Sequence, residues 1–252
     1  MPRAMITGAS AGLGAEFARQ LAQRGYDLVL VARDRDRLEL LATELRARNN
    51  VAVEVLAADL VEPQGIAAAE LRAATSTDRI DLLVNNAGFG LRAEFEENSI
   101  EAELRLLELL VTVPMRLAHS ALLPMLDRGS GEIINIASVA AFTPRGTYGA
   151  AKSWVLSFSR WANLRYRDRG VRVTAVAPGF VRTEFHERMR VGTATVPRFL
   201  WLSAERVVRV ALRDSDRGRA VSIPSARYRV LVAVLRILPA RWAAAGALRS
   251  LD

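Results

Sequence analysis

Short apolar segments alternate with helical patterns along most of the chain. Six of these segments read as buried strands, because they are apolar almost throughout and do not alternate with polar residues. They cover residues 3–7, 26–32, 51–57, 81–84, 132–137 and 171–177. Between them apolar residues recur at helical spacing, as Leu13, Phe17 and Leu21 do after the first strand. Strands that alternate with helices are typical of a parallel sheet with helices on both faces.

The same pattern predicts one domain. A seventh strand is predicted at 218–224, and a long helix at 99–126. There is no internal repeat and no linker, so we predict a single-domain, doubly wound (Rossmann-type) α/β fold of about seven parallel strands over residues 1–252. Within it, 184–202 is predicted to form a substrate loop and 226–252 a basic, apolar C-terminal tail.

Composition narrows the class of protein. Hydrophobic residues make up 51% and charged residues 25% of the 252, which is ordinary for a globular core. The chain has no cysteine and only two histidines, His119 and His186, so we predict no disulfide and no metal site. No signal peptide and no spanning helix is expected, which predicts a cytoplasmic protein. The net charge is +8, but basic patches are not paired with stacking aromatics, so no nucleic acid is predicted.

One lysine stands among 35 basic residues, and the other 34 are arginine. This residue, Lys152, follows Tyr148 by one helical turn, so both lie on the same face of the helix. An ammonium beside a phenol favours the phenolate, which predicts a pKa of Tyr148 below its usual ~10 and a proton donor that works near neutral pH. The alternative is a surface tyrosine beside a surface lysine.

A glycine-rich turn joins the first strand to the first helix at residues 7–14. Backbone N–H groups at such a junction bind phosphate. At the end of the second strand Ala32 is followed by Arg33, which suits the 2′-phosphate of NADP(H) better than the ribose hydroxyls of NAD(H). Asp34 is one residue further on, so NAD(H) stays open, and the charged run is alternatively the solvated start of a helix.

Polar residues also follow the later strands. Asp59 is predicted either to bind the adenine or to cap the helix that begins at Pro63. Residues 85–88 (Asn-Asn-Ala-Gly) suit a ligand crevice, with a plain turn as the alternative. Ser138 ends the fifth strand, and residues 178–183 follow the sixth.

Together and in this order, these pieces resemble the short-chain dehydrogenase/reductase family. The matching motifs are TGASAGLG at 7–14, NNAG at 85–88, Ser138, YGAAK at 148–152 and PGFVRT at 178–183. The resemblance implies that the pyrophosphate end is held by Gly8, Ser10, Gly12, Leu13 and Gly14. It places Asp59 and Asn86 beside the adenosine, and Val181 and Thr183 beside the nicotinamide. The other predicted cofactor contacts are Arg33, Leu60, Ala87, Gly88, Pro178 and Gly179.

The resemblance also implies a reaction. Ser138 would bond a substrate carbonyl, Tyr148 would protonate it, and Lys152 would bind the nicotinamide ribose and lower the pKa of the tyrosine. Hydride that reaches a carbonyl carbon leaves negative charge on the oxygen, and two hydroxyl donors stabilise that charge. We therefore expect an oxidoreductase that transfers hydride between NADP(H) and the carbonyl or secondary alcohol of an apolar ketone, 3-oxoacyl or steroid-like compound.

Two features depart from the family pattern. Leu110 stands where family members usually have an asparagine that helps to hold a water relay to the lysine. Either a neighbour such as Thr112 replaces it, or turnover is slow, or the protein is a sensor or scaffold that binds cofactor without reducing much. The loop between Ser138 and Tyr148 is also a few residues shorter than usual, which either opens the substrate pocket or disturbs the serine–tyrosine geometry.

Apolar residues in loops at the carboxyl ends of the strands are the predicted substrate contacts. They are Phe89, Leu91, Phe142, Phe185, Phe199 and Trp201. Alternatively, those in 184–202 pack under a lid. The stretch 197–203 is similar to that of family members that act on long-chain ketoacyl lipids.

The C-terminal tail is basic and apolar. Residues 217–251 contain seven arginines and no acid, and Trp242 lies in the same stretch. Such a segment predicts either contact with a membrane surface or packing across a subunit boundary. In the first case, the alternative function is that of a lipid-surface protein that acts mainly through its tail. The aromatic residues at 154, 158 and 161 predict packing or a subunit interface, so we expect a homodimer or homotetramer.

Overall fold

The computed structural model describes residues 1–91, 93–184 and 197–237, and every structural statement below concerns these residues. Seven strands form one parallel sheet in the order β3-β2-β1-β4-β5-β6-β7. Their bounds are Arg3–Thr7 (β1), Asp27–Ala32 (β2), Val53–Ala57 (β3), Leu82–Asn85 (β4), Gly131–Ile136 (β5), Val171–Val176 (β6) and Val221–Ser222 (β7). The predicted single-domain, Rossmann-type fold is therefore confirmed.

Helices cover both faces of the sheet. They are Gly12–Gln23 (α1), Arg35–Asn49 (α2), Pro63–Ala74 (α3), Ile100–Leu107 (α4), Val113–Asp127 (α5), Gly146–Tyr166 (α6), Ala204–Asp216 (α7) and Ala226–Leu235 (α8). One face packs on α1, α2 and α7, and the other on α3, α5 and α6. Successive residues of β1 divide between the two cores, with Ala4 and Ile6 in the first and Met5 in the second, as the two-residue period of a strand requires.

The predicted long helix at 99–126 is interrupted. A π-helical turn, Glu108–Thr112, separates α4 from α5, and Pro114 follows at the start of α5. A proline has no N–H to donate and crowds the carbonyl four residues earlier, which here belongs to Leu110. The whole stretch Ile100–Asp127 is long and apolar enough to cross a membrane by length and composition, contrary to the expectation that no such helix exists. It packs on the sheet and on α3 as a core layer.

The strand order places the site. β1 pairs with β2 on one side and β4 on the other, so the chain reverses its direction across the sheet between these strands. The crevice beyond the carboxyl ends at such a switch point is where ligands bind in open α/β sheets. The carboxyl ends of β1, β4 and β5 all point to this edge.

Candidate active site

The glycine turn after β1 is shaped for close approach. Gly8 and Gly12 have φ of +65° and +56°, a region that favours glycine. Helix α1 begins after Ala11 without a capping side chain and without an acid in its first turn, so its first N–H groups are free to face an anion. These observations fit a dinucleotide pyrophosphate, with the chain contributing backbone donors.

Gly14 is a packing residue. A Cβ there would lie 2.1 Å from the carbonyl oxygen of Gly8, so glycine is needed for the turn to fold back on the helix. Gly14 does not line the crevice, unlike the other four residues predicted at the pyrophosphate end.

The loop after β4 braces this turn. The amide nitrogen of Asn86 donates to the carbonyl oxygens of Thr7 and Gly8, at 2.9 and 3.2 Å. The hydroxyl of Thr7 accepts bonds from the backbone N–H of Asn86 and Ala87. Asn86 lines the crevice, as predicted, but its donors are engaged with the turn. Its side chain therefore holds the phosphate-binding backbone in place.

Charged residues surround the predicted adenosine end. Arg33 lines the crevice, and its side chain is 71% exposed. Asp34 is occupied as the cap of α2, where it accepts a bond from the backbone N–H of Arg37 at 3.1 Å. Asp59 accepts from the backbone N–H of Val61 and pairs with Arg105 at 3.1 Å. The expectation that Asp59 caps the helix at Pro63 is wrong, because Glu62 holds the cap position.

Three predicted catalytic side chains come together where β5 meets α6. Ser138 lies just past the end of β5, and its hydroxyl accepts a bond from the N–H of Ala140. Tyr148 lies in the first turn of α6, with its phenol close enough to the Ser138 side chain for the serine to affect its pKa. Lys152 is one turn further, with its Nζ 5.8 Å from the centre of the Tyr148 ring. The short loop between β5 and α6 therefore leaves the serine and tyrosine side chains next to each other.

The expected effect of Lys152 on the tyrosine is wrong for the protein without cofactor. Burial raises the pKa of the Tyr148 phenol, and the neighbouring Ser138 hydroxyl and the charge of Arg145 oppose the shift. Burial lowers the pKa of Lys152 to about 8. The ammonium donates to the carbonyl oxygen of Ile136 at 2.7 Å, and desolvation penalises its charge more than any neighbour supports it. The lysine is thus itself close to titrating near neutral pH.

One crevice of about 820 Å³ joins these parts. Of the predicted site residues it is lined by Gly8, Ser10, Gly12, Leu13, Arg33, Asp59, Leu60, Asn86, Ala87, Gly88, Ser138, Tyr148, Lys152, Pro178, Gly179, Val181 and Thr183. Leu110, the departure from the family pattern, also lines it, whereas Thr112 does not. A crevice of this volume suits a large part of a dinucleotide together with a substrate better than it suits a small ion.

The loop after β6 is held by α8. A Cβ on Gly179 would meet the Tyr228 ring at 1.9 Å, and the Tyr228 hydroxyl accepts from the N–H of Phe180 and donates to Leu200 O. Leu202 pairs with Val181 in a single parallel bridge. The beginning of the predicted tail therefore buttresses the wall of the crevice.

The predicted substrate contacts divide. Phe89 lines the crevice, and Leu91 packs near Tyr148 without lining it. Phe142 lies under the guanidinium of Arg236 instead. Phe199 is 59% exposed. Phe185 and most of the segment to Pro197 lie outside the described residues.

That the C-terminal tail and the aromatic face of α6 form interfaces stays a prediction. On α8, Tyr228 and Val232 are buried while Val230 is exposed, and Ile237, two residues beyond the helix, is also exposed. Trp242 lies outside the described residues. A membrane surface or a second subunit remains the predicted partner of these exposed faces. On α6, Trp154, Phe158 and Trp161 form a stack whose last ring is 53% exposed.

Sequence reasoning missed two groups of the site. Arg105, on α4, reaches across to Asp59, 46 residues earlier in the chain. No local pattern indicates that contact. The sequence predicts Asn85 only as a member of the 85–88 segment that suits a ligand crevice or forms a plain turn, and its buried side chain lines a small chamber together with Lys152. Its position at the end of an otherwise apolar strand is a usable signal, because a buried amide needs partners.

Comparisons with known proteins agree with this geometry. The sequence profile described as short chain dehydrogenase matches residues 2–193. A short-chain dehydrogenase from Sphingobium yanoikuyae, solved in complex with NADPH, is 39% identical with a TM-score of 0.86, over 99% of this chain and 93% of that one.

Two further proteins show the range of relatives. The bulky-bulky ketone specific alcohol dehydrogenase from Comamonas testosteroni is 35% identical with a TM-score of 0.81, over 99% of this chain and 92% of that one. Sulfoacetaldehyde reductase from Chromohalobacter salexigens is 34% identical over 185 residues, 71% of this chain and 72% of the relative. The chain therefore belongs to the short-chain dehydrogenase family, whose members are NAD(P)-dependent oxidoreductases.

Proposed function

We propose that the protein reduces a ketone with bulky apolar substituents, using NADPH, with Tyr148 as the proton donor. The observation that carries the proposal is the pair of neighbouring hydroxyls, Ser138 and Tyr148, which line one crevice together with Lys152 and the glycine turn. NADPH, when bound, supplies the hydride to the carbonyl carbon. Ser138 and Tyr148 then stabilise the charge on the oxygen, and Tyr148 gives up its proton to form the alcohol.

The choice of NADPH rests on the residues after β2. A carboxylate there would bind the ribose hydroxyls of NAD(H). In this chain the nearest carboxylate, Asp34, is occupied in capping α2 and in an ion pair with Arg37. Arg33 and Asp34 both line the crevice, but the Asp34 carboxylate is committed to the helix cap, whereas Arg33 offers a guanidinium that suits a 2′-phosphate.

The choice of an apolar substrate rests on the wall near the tyrosine. Phe89, Leu109, Leu110 and Val181 line the crevice, and Tyr148 packs on an apolar cluster that contains Leu106, Leu110 and Ala151. The relatives at this level of identity differ in substrate, and sulfoacetaldehyde is small and anionic. The choice of substrate class therefore rests on the side chains that line the crevice. The bulky-ketone specificity of the Comamonas enzyme supports the same choice.

The test is a panel of carbonyl compounds followed by NADPH absorbance. It contains ketones with two bulky groups, methyl ketones, a 3-oxoacyl thioester, a keto-steroid and sulfoacetaldehyde. We expect turnover highest with the bulky ketones. Tyr148→Phe should reduce kcat by about a thousandfold, because general acid catalysis contributes on the order of 10²–10⁴.

The matched control is Tyr166→Phe. Tyr166 ends the same helix and packs edge-on against Trp161, away from the crevice. We expect it to stay within twofold of the unaltered enzyme. Equal activity of Tyr148→Phe and Tyr166→Phe would end the assignment of Tyr148.

A second candidate is a cofactor-binding protein with little turnover. It is favoured by Leu110, an apolar side chain where the family has an amide. This candidate is preferred if NADPH binds with micromolar affinity while no carbonyl in the panel is reduced.

A further inference from the structure

A small chamber adjoins the crevice at Lys152. Its volume, about 10 Å³ open to the centre of a water-sized sphere, is about the minimum that holds one water molecule. It is lined by Thr7, Asn85, Ala87, Leu109, Leu110, Val113, Pro114, Asn135, Ile136, Lys152 and Val155. The wall is therefore mixed, with an ammonium and two amides set among apolar side chains. A buried water needs polar partners of this kind.

A directed chain of hydrogen bonds sets the orientation of Asn85. The hydroxyl of Ser159 donates to the carbonyl oxygen of Val155 at 2.7 Å, so its oxygen accepts from the amide nitrogen of Asn135 at 3.0 Å. The amide oxygen of Asn135 then accepts from the Nδ2 of Asn85 at 2.9 Å. Nδ2 of Asn85 also donates to the carbonyl oxygen of Pro114 at 3.3 Å. Both donors of Asn85 are therefore used, and a flipped amide would set two oxygens against each other.

This orientation leaves one acceptor over. Asn85 is 7% exposed, and its Oδ1 is buried without a hydrogen-bond partner among the described residues. A buried polar atom left in this way costs about 1–3 kcal/mol. Lys152 lines the same chamber and has three donors, of which Ile136 O takes one. A donor and an acceptor that both lack partners thus share one chamber.

We propose that the Oδ1 of Asn85 and the Nζ of Lys152 hold one buried water in this chamber, and that Asn85 is a positioning residue for the lysine. The water accepts a bond from Nζ and donates one to Oδ1. It thereby fixes the ammonium and supports its charge on the side away from Tyr148. The existence of this water site does not depend on the proposed reductase activity. The expected effect of Asn85 on turnover does rest on that proposed function.

Asn85, on the sheet, would hold a water beside Lys152, as the asparagine that family members have on the helix at the position of Leu110 is expected to do. Leu110 lies on the same chamber wall, and its Cδ2 would be 2.9 Å from a Cβ placed on Gly88. Thr112, the neighbour expected to substitute, does not line the chamber. Asn85 lies on β4, and the observation that indicates a role in holding the water is its Oδ1 without a partner among the described residues.

The sole lysine makes a direct test simple. Protein grown with isotope-labelled lysine gives one side-chain NMR signal, and its titration reports the pKa of Lys152 without cofactor or substrate. We expect Asn85→Leu to lower that pKa by about one pH unit, because the charged form loses a polar partner. With a ketone substrate, kcat should fall about tenfold while KM for NADPH stays unchanged.

The matched control is Asn163→Leu. Asn163 is as deeply buried, lies on the same helix as Lys152 and donates to backbone carbonyl oxygens, but is not in the chamber. It should leave the pKa of Lys152 unchanged. Equal shifts in the two variants, or none in Asn85→Leu, would overturn the proposal. If the shift appears while no carbonyl is reduced, the water site stands and the reductase assignment fails.

Two further measurements cover variants that fold poorly. A crystal structure of the unaltered protein at about 1.5 Å should show one water within ~3 Å of both Nζ and Oδ1. An empty chamber would contradict the proposal. The double variant Asn85→Leu with Leu110→Asn places an amide at another position in the chamber lining, and it should reverse at least half of the fall in the pKa of Lys152. No restoration would mean that Asn85 acts through packing alone.

Discussion

The two ends of the crevice differ in how far their positively charged side chains are buried. At the end near Tyr148, Lys152 is 6% exposed and its ammonium is held by a single carbonyl within the core. At the other end, predicted to hold the adenosine, the Arg33 side chain is 71% exposed, and its distance from Asp59 is 3.9 Å. Burial makes the first end sensitive to shape and to the last hydrogen bond. Exposure leaves the second end screened by salt and tolerant of small displacements.

This difference explains the use of the two basic residue types. Arginine keeps its proton and matches a phosphate with a wide fork, which suits the exposed end. Lysine is a compact charge whose pKa responds to burial, and the pKa of Lys152 falls to about 8. The single lysine of a chain with 34 arginines thus lies at the buried end, where its pKa responds to desolvation.

The largest expected effect follows from exchanging the charge type at the buried end. Lys152→Arg keeps a positive charge but introduces a wider group between Gly88, Leu110 and Ile136. We expect kcat for ketone reduction to fall by about a thousandfold, because the guanidinium cannot occupy the position of Nζ or change its protonation state. Steady-state kinetics with NADPH measures the effect. A variant with more than a tenth of the original kcat would show that charge alone suffices there.

Removal of the Lys152 charge is expected to have a smaller effect, on the free energy of unfolding, and the direction of its pH dependence follows from the pKa of Lys152. The folded pKa of Lys152 is about 8 against 10.5 for an exposed lysine, which corresponds to up to about 3 kcal/mol at ~1.4 kcal/mol per pH unit. Between these values the unfolded chain binds more protons, so stability rises with pH in that window, and the full cost applies below pH 8. Lys152→Met, without cofactor, should therefore be more stable at pH 7 by about 1–3 kcal/mol.

Chemical denaturation at several pH values measures this difference. The advantage of the methionine variant should shrink as the pH rises from 8 towards 10.5. Ile136 O loses its donor in the variant, which offsets part of the gain. An advantage that is constant with pH would show that the ammonium is not penalised by burial.

The sequence predicts the frame of the site better than its electrostatics. Apolar runs predict all six main strands to within two residues, and the glycine turn, Tyr148 and Lys152, which the sequence singles out, line one crevice. These features are local, because they depend on burial patterns and on helical periodicity. The direction of the Tyr148 pKa shift was predicted wrongly, since a desolvation cost depends on how many other segments cover the group.

Contacts between distant segments set the remaining details. The brace from Asn86 to Thr7 joins residues 79 apart, and the pair of Asp59 with Arg105 joins residues 46 apart. The π-helical turn before Pro114 also differs from the continuous helix that periodicity predicts. The proline was visible in the sequence, but how the helix accommodates it depends on packing against the sheet.

The smallest predicted effect tests the exposed end. Arg33→Ala should raise KM for NADPH about tenfold at low ionic strength and leave KM for NADH and kcat nearly unchanged, because only the 2′-phosphate loses a partner. The difference from the unaltered enzyme should narrow in high salt, since the Debye length falls from about 10 Å at 0.1 M to about 3 Å at 1 M. Steady-state kinetics with both cofactors at two salt concentrations makes the comparison.

Arg35→Ala is the matched control. Arg35 belongs to the same charged run and is 63% exposed, but it faces Glu39 at 3.9 Å and does not line the crevice. If the two variants raise KM for NADPH equally, the effect is a general loss of positive charge and Arg33 does not read the phosphate. If Arg33→Ala weakens NADH as strongly as NADPH, the guanidinium contacts a part that both cofactors share, and the exposed end does not select between them.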